Sequence, residues 1–116
     1  MGSLCYYGNM NTLDLPENPT LKDYQTYMQA MVLERGFDKE TVSEVFLLLV
    51  EEVGELAKAI RKTNGQKIDM SRKQHEVEEE AADVFWLVID LCNRLDIDLE
   101  KAFREKEAKN KTRVWQ

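Results

Sequence analysis

A chain of 116 residues, 43% hydrophobic and 33% charged, is one globular domain's worth of sequence, which excludes an intrinsically disordered polymer. Its net charge of −6 is uneven, with 20 acidic against 10 basic residues in 1–100 and 6 basic against 2 acidic in 101–116. A general binder of nucleic-acid polymers needs a dominant basic face and is excluded, as is a membrane span, because no apolar run approaches about 20 residues.

Residues 1–19 read as a flexible lead-in. They hold Gly2, Gly8, Asn9, Asn11, Asn18, Pro16 and Pro19 with no sustained period. No basic stretch followed by a long apolar one opens the chain, so the cytoplasm is the expected location. Residues 20–116 form the expected domain, and four helices account for it.

The first helix starts near Thr20, where Thr20 and Asp23 have capping-box spacing, and stops near Arg35, with Gly36 beyond it. The second starts between Lys39 and Thr41, again with a capping box, Thr41 to Glu44. Its apolar positions Val42, Val45, Phe46, Leu49, Val53, Leu56 and Ile60 recur at steps of three and four, and Asn64-Gly65 ends it. A loop of about ten residues leads to a third helix that starts after Ser71, with Gln74 completing a box. Val77, Ala81, Val84, Leu87, Val88 and Leu91 make its stripe, and it stops near Leu95. Asp98 caps a fourth helix over about 99–112, with Leu99, Ala102 and Phe103 facing inward.

No strand-like alternation competes, and only Gly54 interrupts a helix interior. The expected fold is an all-α, four-helix bundle, with the second and third helices antiparallel. Cys92 lies in an apolar helical pattern and reads as a buried small hydrophobe, and Cys5 lies in the lead-in; no disulfide is expected.

Chemistry concentrates on the two central helices. The second carries Glu51, Glu52 and Glu55; the third carries Glu76, Glu78, Glu79, Glu80 and Asp83. Residues three or four apart share a helix face, so Glu52 groups with Glu55 and Glu80 with Asp83. These acids border apolar stripes, where mutual repulsion grows with burial and calls for a cation. Hard oxygen ligands favour Mg2+, Mn2+ or Ca2+ over zinc. The competing reading is a solvated acidic face. A di-iron site needs two Glu-x-x-His motifs, and a zinc protease needs HExxH. The single histidine, His75, satisfies neither and reads as solvent-facing in the first turn of the third helix.

Gly54, mid-helix, costs about 1 kcal/mol against alanine; a close helix approach, a substrate contact or simple packing each accounts for it. On the fourth helix Lys106, Lys109, Asn110 and Arg113 stand at steps of three, four and seven, a candidate phosphate-binding face. The alternative is a basic helix end that complements the dipole. A polyanionic small molecule fits both ends of such a chain, bridged to the acids by a cation and held by the basic tail.

Three segments together, Glu51-Glu52-Val53-Gly54-Glu55, Glu80-Ala81-Ala82-Asp83 and Lys106 to Arg113, resemble the MazG-type nucleotide pyrophosphohydrolases, whose pattern is EExxE, ExxD and a late K-x-x-K/R-N-x-x-R. The resemblance covers roughly residues 20–114. It implies Mg2+, with Mn2+ as a substitute, held by Glu52, Glu55, Glu80 and Asp83. It implies Glu51 as a further ligand or as the base that orients water, Glu51 and Glu52 as the catalytic pair, and Lys106, Lys109, Asn110 and Arg113 as substrate contacts. It implies cleavage of a (deoxy)nucleoside triphosphate between the α and β phosphates, in nucleotide-pool housecleaning, by a homodimer or homotetramer. Some relatives carry an aromatic four residues after the ExxD aspartate; here that position is Leu87, beside Trp86. Tyr24, Tyr27, Phe37 and Trp86 are candidate base-stacking residues, though each reads more readily as core. Two rivals stand: a non-catalytic helical nucleotide-binding or oligomerisation module, and a related hydrolase of dUTP, dCTP or phosphoribosyl-ATP.

Overall fold

Periodicity and caps dictate four helices, and a computed structural model describing residues 14–63 and 70–113, with side chains from 14–63 and 75–113, contains them: α1 (Leu21–Glu34), α2 (Val42–Lys62), α3 (Met70–Arg94) and α4 (Leu99–Thr112). No strand occurs among the described residues. The all-α expectation holds. Residues 14–20 carry no regular element, and the rest of the proposed lead-in lies outside the described residues.

Local chemistry sets the helix ends. Thr20 accepts from Asp23 N–H while Asp23 accepts from Thr20 N–H at 2.9 Å. Thr41 and Glu44 make the same reciprocal box on α2. Asp98 accepts from Lys101 N–H at the start of α4. Each such cap contributes about 1 kcal/mol. At the end of α1, Gly36 has φ +75°, Phe37 N–H reaches Val32 O at 2.8 Å and Gly36 N–H reaches Leu33 O, a Schellman motif. The end of α3 repeats it with a non-glycine residue: Asp96 has φ +57°, Ile97 N–H bonds Cys92 O at 2.9 Å and Asp96 N–H bonds Asn93 O.

One helix start differs from expectation. α3 already includes Met70, so Ser71 is not its N-cap; the side chain of Gln74 lies outside the described residues. His75 is therefore in the second turn, although it is exposed as expected. α2 ends at Lys62 with Thr63 as its cap, and Asn64-Gly65 lie outside the described residues.

The chain divides into two compact units, residues 1–38 with 92–116, and residues 39–91. In the first, Met28, Ala30, Met31, Val32 and Cys92 are buried. Cys92 is a free thiol that burial pushes up in pKa, in keeping with a small hydrophobe; Cys5 lies outside the described residues. Gln25 ties this unit together. Its amide donates to Asn93 Oδ1 and Ile97 O, both at 2.8 Å, and its oxygen accepts from Leu99 N–H at 3.0 Å. Asn93 returns a bond to Gln25 O at 2.9 Å. Arg94 donates to Phe37 O.

α4 corrects an expectation. Leu99 is half-buried, but Ala102 is exposed and Phe103 is 62% exposed, so neither faces inward. The helix is anchored at its first turn by Gln25 and buries no residue. Phe103 instead borders an open groove of about 620 Å³ with Leu21, Arg104, Ala108 and Lys111.

The second unit is the α2–α3 hairpin. Lys62 lies 4.0 Å from Glu76, and Glu52 lies beside Glu80 and Asp83. Falling numbers on α2 meet rising numbers on α3, so the helices run antiparallel, as expected. Val45 and Ile89 are fully buried, each contributing about 1.5–3 kcal/mol. Ile89 was not part of the expected stripe, and Ala81, which was, is exposed.

Candidate metal centre

On α2, Val45, Glu52 and Ala59 stand seven residues apart and so share one face. Val45 and Ala59 are buried, which leaves Glu52 half-buried between two apolar anchors. On α3, Glu80, Asp83 and Leu87 form a second such run, and Leu87 is buried. The antiparallel hairpin brings the two runs together. Glu52, Glu80 and Asp83 each place a carboxylate oxygen within 4.8 Å of the others.

Such crowding has an electrostatic cost. The Glu52 carboxyl is pushed up to about 7, first by a hydrogen bond with Glu80, then by desolvation and by the charges of Asp83, Glu80 and Glu51. The repulsion favours the protonated form of Glu52, or a bound cation in the proton's place. Glu80 Oε2 is buried with no hydrogen-bond partner among the described residues, which costs about 1–3 kcal/mol if it stays so. Three hard oxygen donors, one of them shielded and unsatisfied, fit a divalent cation of the Mg2+ class.

The other expected acids lie alongside. Glu55 and Glu51 are exposed on the same stretch of α2 and fall outside the close group. Gly54 has open space where a side chain would begin, with nothing within 4 Å, so no close approach within the chain explains it.

The basic set belongs to α4, in the other unit. Lys106 and Lys109 are exposed, and Asn110 is half-buried. Asn110 donates to Glu107 at 3.3 Å, while its Oδ1 is buried without a partner among the described residues. Arg113 is not on the helical face itself: it is the extended C-cap residue (ψ 139°), donating its N–H to Asn110 O. Among the candidate stacking residues Tyr24, Tyr27 and Trp86 are half-buried, and Phe37 is 39% exposed.

Sequence reasoning missed Asp90, which is 2% exposed on α3. It stands seven residues after Asp83, a spacing that was visible. His75 pairs with Glu79 at 2.9 Å and with Glu78 at 3.8 Å, an exposed pairing away from the acidic group. No helix among the described residues is long and apolar enough to cross a membrane.

Comparison with known proteins identifies the family of the chain. The model of the MazG nucleotide pyrophosphohydrolase domain matches residues 40–115, spanning α2, α3 and α4. An uncharacterised protein of Bacillus subtilis (strain 168), YpjD, is 33% identical over 86 residues, covering 72% of this chain and 76% of the relative. The chain therefore belongs to the MazG nucleotide pyrophosphohydrolase family.

Proposed function

We propose that this protein hydrolyses nucleoside or deoxynucleoside triphosphates between the α and β phosphates, dependent on Mg2+ (Mn2+ as a substitute), in housecleaning of the nucleotide pool. The observation that carries the reading is the meeting of carboxylate oxygens of Glu52, Glu80 and Asp83 within 4.8 Å, with one Glu80 oxygen buried and without a partner among the described residues. These three residues would hold the cation, with Glu55, one turn along α2, as a further ligand. When bound, Mg2+ neutralises phosphate charge and activates water.

The chain's own groups do the rest. Glu51 or Glu52 orients the attacking water and accepts its proton on a carboxylate oxygen. The water oxygen bonds to the α phosphorus, and the bond to the bridging oxygen breaks, releasing pyrophosphate and leaving a monophosphate. Lys106, Lys109 and Arg113 offset triphosphate charge, and Asn110 offers both a donor and an acceptor. The active species is a homo-oligomer, dimer or tetramer. Support for this comes from the apolar surface of α2, where Phe46, Leu47 and Val50 are each at least half exposed.

The test is thermal. Millimolar Mg2+ with a triphosphate that cannot be cleaved between α and β should raise the melting temperature, because ligand at 100 times its Kd stabilises by about 2.7 kcal/mol. No shift with well-folded protein would return the acids to a solvating role.

A further inference from the structure

The fourth helix is short of cover. α4 runs 14 residues and buries none of them. A helix of that length is marginal by itself and draws its stability from a packed face. Its apolar residues Phe103 and Ala108 instead line the open groove of about 620 Å³, whose opposite wall is Leu21 of α1. Phe103, at 62%, is the most exposed aromatic among the described residues. The rim carries Glu100 and Glu107 with Arg104 and Lys111, two acids and two bases, so the groove asks no net charge of its occupant.

The chain itself supplies one. Residues 1–13, outside the described residues, contain no charged side chain. Leu4, Tyr7, Met10 and Leu13 recur at every third position, with Tyr6 beside them. Segments that remain in solvent are poor in aromatic residues and rich in charge; this composition is the reverse. The segment is also tethered to the groove. The chain enters α1 through its cap Thr20, next to Leu21, the groove's own wall. Residues 14–20 separate the segment from that wall, a span of at most about 25 Å. A short tether sets a millimolar effective concentration, so weak apolar contacts suffice. A separate partner has to offset its own loss of translational and rotational freedom. Tyrosine suits the rim as well, because Arg104, held by Glu100 at 3.2 Å, offers a guanidinium to a ring face.

We propose that residues 1–13 dock in the groove between Leu21 and α4, with their leucine and tyrosine side chains over Phe103 and Ala108. The docked segment completes the packed face of the helix that carries Lys106, Lys109 and Asn110. The proposal does not depend on the reaction.

The native thiol of Cys5 reports it. In the full chain with Cys92→Ala, either Ala108→Cys or Lys111→Cys sets a second thiol on the groove. Glu34→Cys sets one at the far end of α1, about 20 Å along the helix from Leu21. All three positions are exposed. The 16 residues from Cys5 to Leu21 span up to about 56 Å, so an undocked segment reaches each of them. Under mild oxidation Cys5 should close onto the groove at least about tenfold faster than onto position 34. Urea should reverse that order, because position 34 is nearer along the chain. Closure onto the groove no faster than onto position 34 in the folded protein overturns the docking and leaves the groove to another protein or to solvent. A disulfide between two chains as the main groove product also overturns it, and gives the groove to the segment of a second copy.

Discussion

Glu52 on α2 and Asp83 on α3 present carboxylate oxygens within 4.8 Å of each other, and the charge of Asp83 helps push the Glu52 carboxyl up to about 7. Two acids brought together by an antiparallel hairpin repel until a proton or a metal joins them. Asp83→Asn should therefore lower the Glu52 pKa toward its ordinary value of 4.5, readable by NMR titration of the side-chain carboxyl. A Glu52 titration unchanged by the substitution would separate the two residues.

Removing the ligands themselves should abolish turnover. A metal supplies several kcal/mol of charge stabilisation, so Glu52→Ala or Asp83→Ala should lower kcat/KM by more than about 100-fold. The fold should persist in both, because neither side chain is a core residue. Circular dichroism and steady-state assays check this; full activity in either variant would contradict the assignment.

The raised Glu52 carboxyl gives stability a definite pH dependence. Below about 4.5 the group is protonated whether the chain is folded or not, and its contribution is complete. Between about 4.5 and about 7 the folded chain keeps a proton that the unfolded chain loses, so metal-free stability falls as pH rises. Mg2+ takes the proton's place, so the stabilisation that it confers should grow across the same window. Urea midpoints from pH 4.5 to 8, with and without Mg2+, test both slopes. A metal-free midpoint that rises through this window would have the wrong sign.

Gln25 holds α1, the end of α3 and the start of α4 with a single side chain. Gln25→Leu strands Leu99 N–H, Ile97 O and Asn93 Oδ1, and should cost about 2 kcal/mol or more. A shift in the urea midpoint reads it.

Two glycines should respond oppositely to alanine. Gly36, at φ +75°, should lose about 1–2 kcal/mol. Gly54, helical and with open space around it, should gain about 1 kcal/mol. If Gly54→Ala instead impairs turnover with the fold intact, triphosphate or a second chain approaches there.

Much of this was legible in the sequence where the cause is local. Thr20, Thr41, Asp98 and Gly36 act within a few residues of themselves, and their roles follow from spacing. The acids of α2 and α3 were legible because ExxE and ExxD fix a face. What escaped notice depends on partners far along the chain. Gln25 and Asn93 look like surface amides until folding pairs them. Asp96 takes a positive φ that glycine would have advertised. Phe103 looked like core because an apolar residue at helical spacing ordinarily is; the position instead borders an open groove beside Leu21. Glu80 and Glu55 were indistinguishable as ligands by spacing alone; the fold brings Glu80 together with Glu52 and Asp83 and leaves Glu55 outside that close group.

The most direct test of the central claim is pyrophosphate release by purified protein from the eight common nucleoside and deoxynucleoside triphosphates and a few damaged ones, with Mg2+ and with chelator. The account predicts pyrophosphate with matching monophosphate only when Mg2+ is present, and the ranking of rates names the substrate. Release that persists in chelator, or phosphate in place of pyrophosphate, would contradict it.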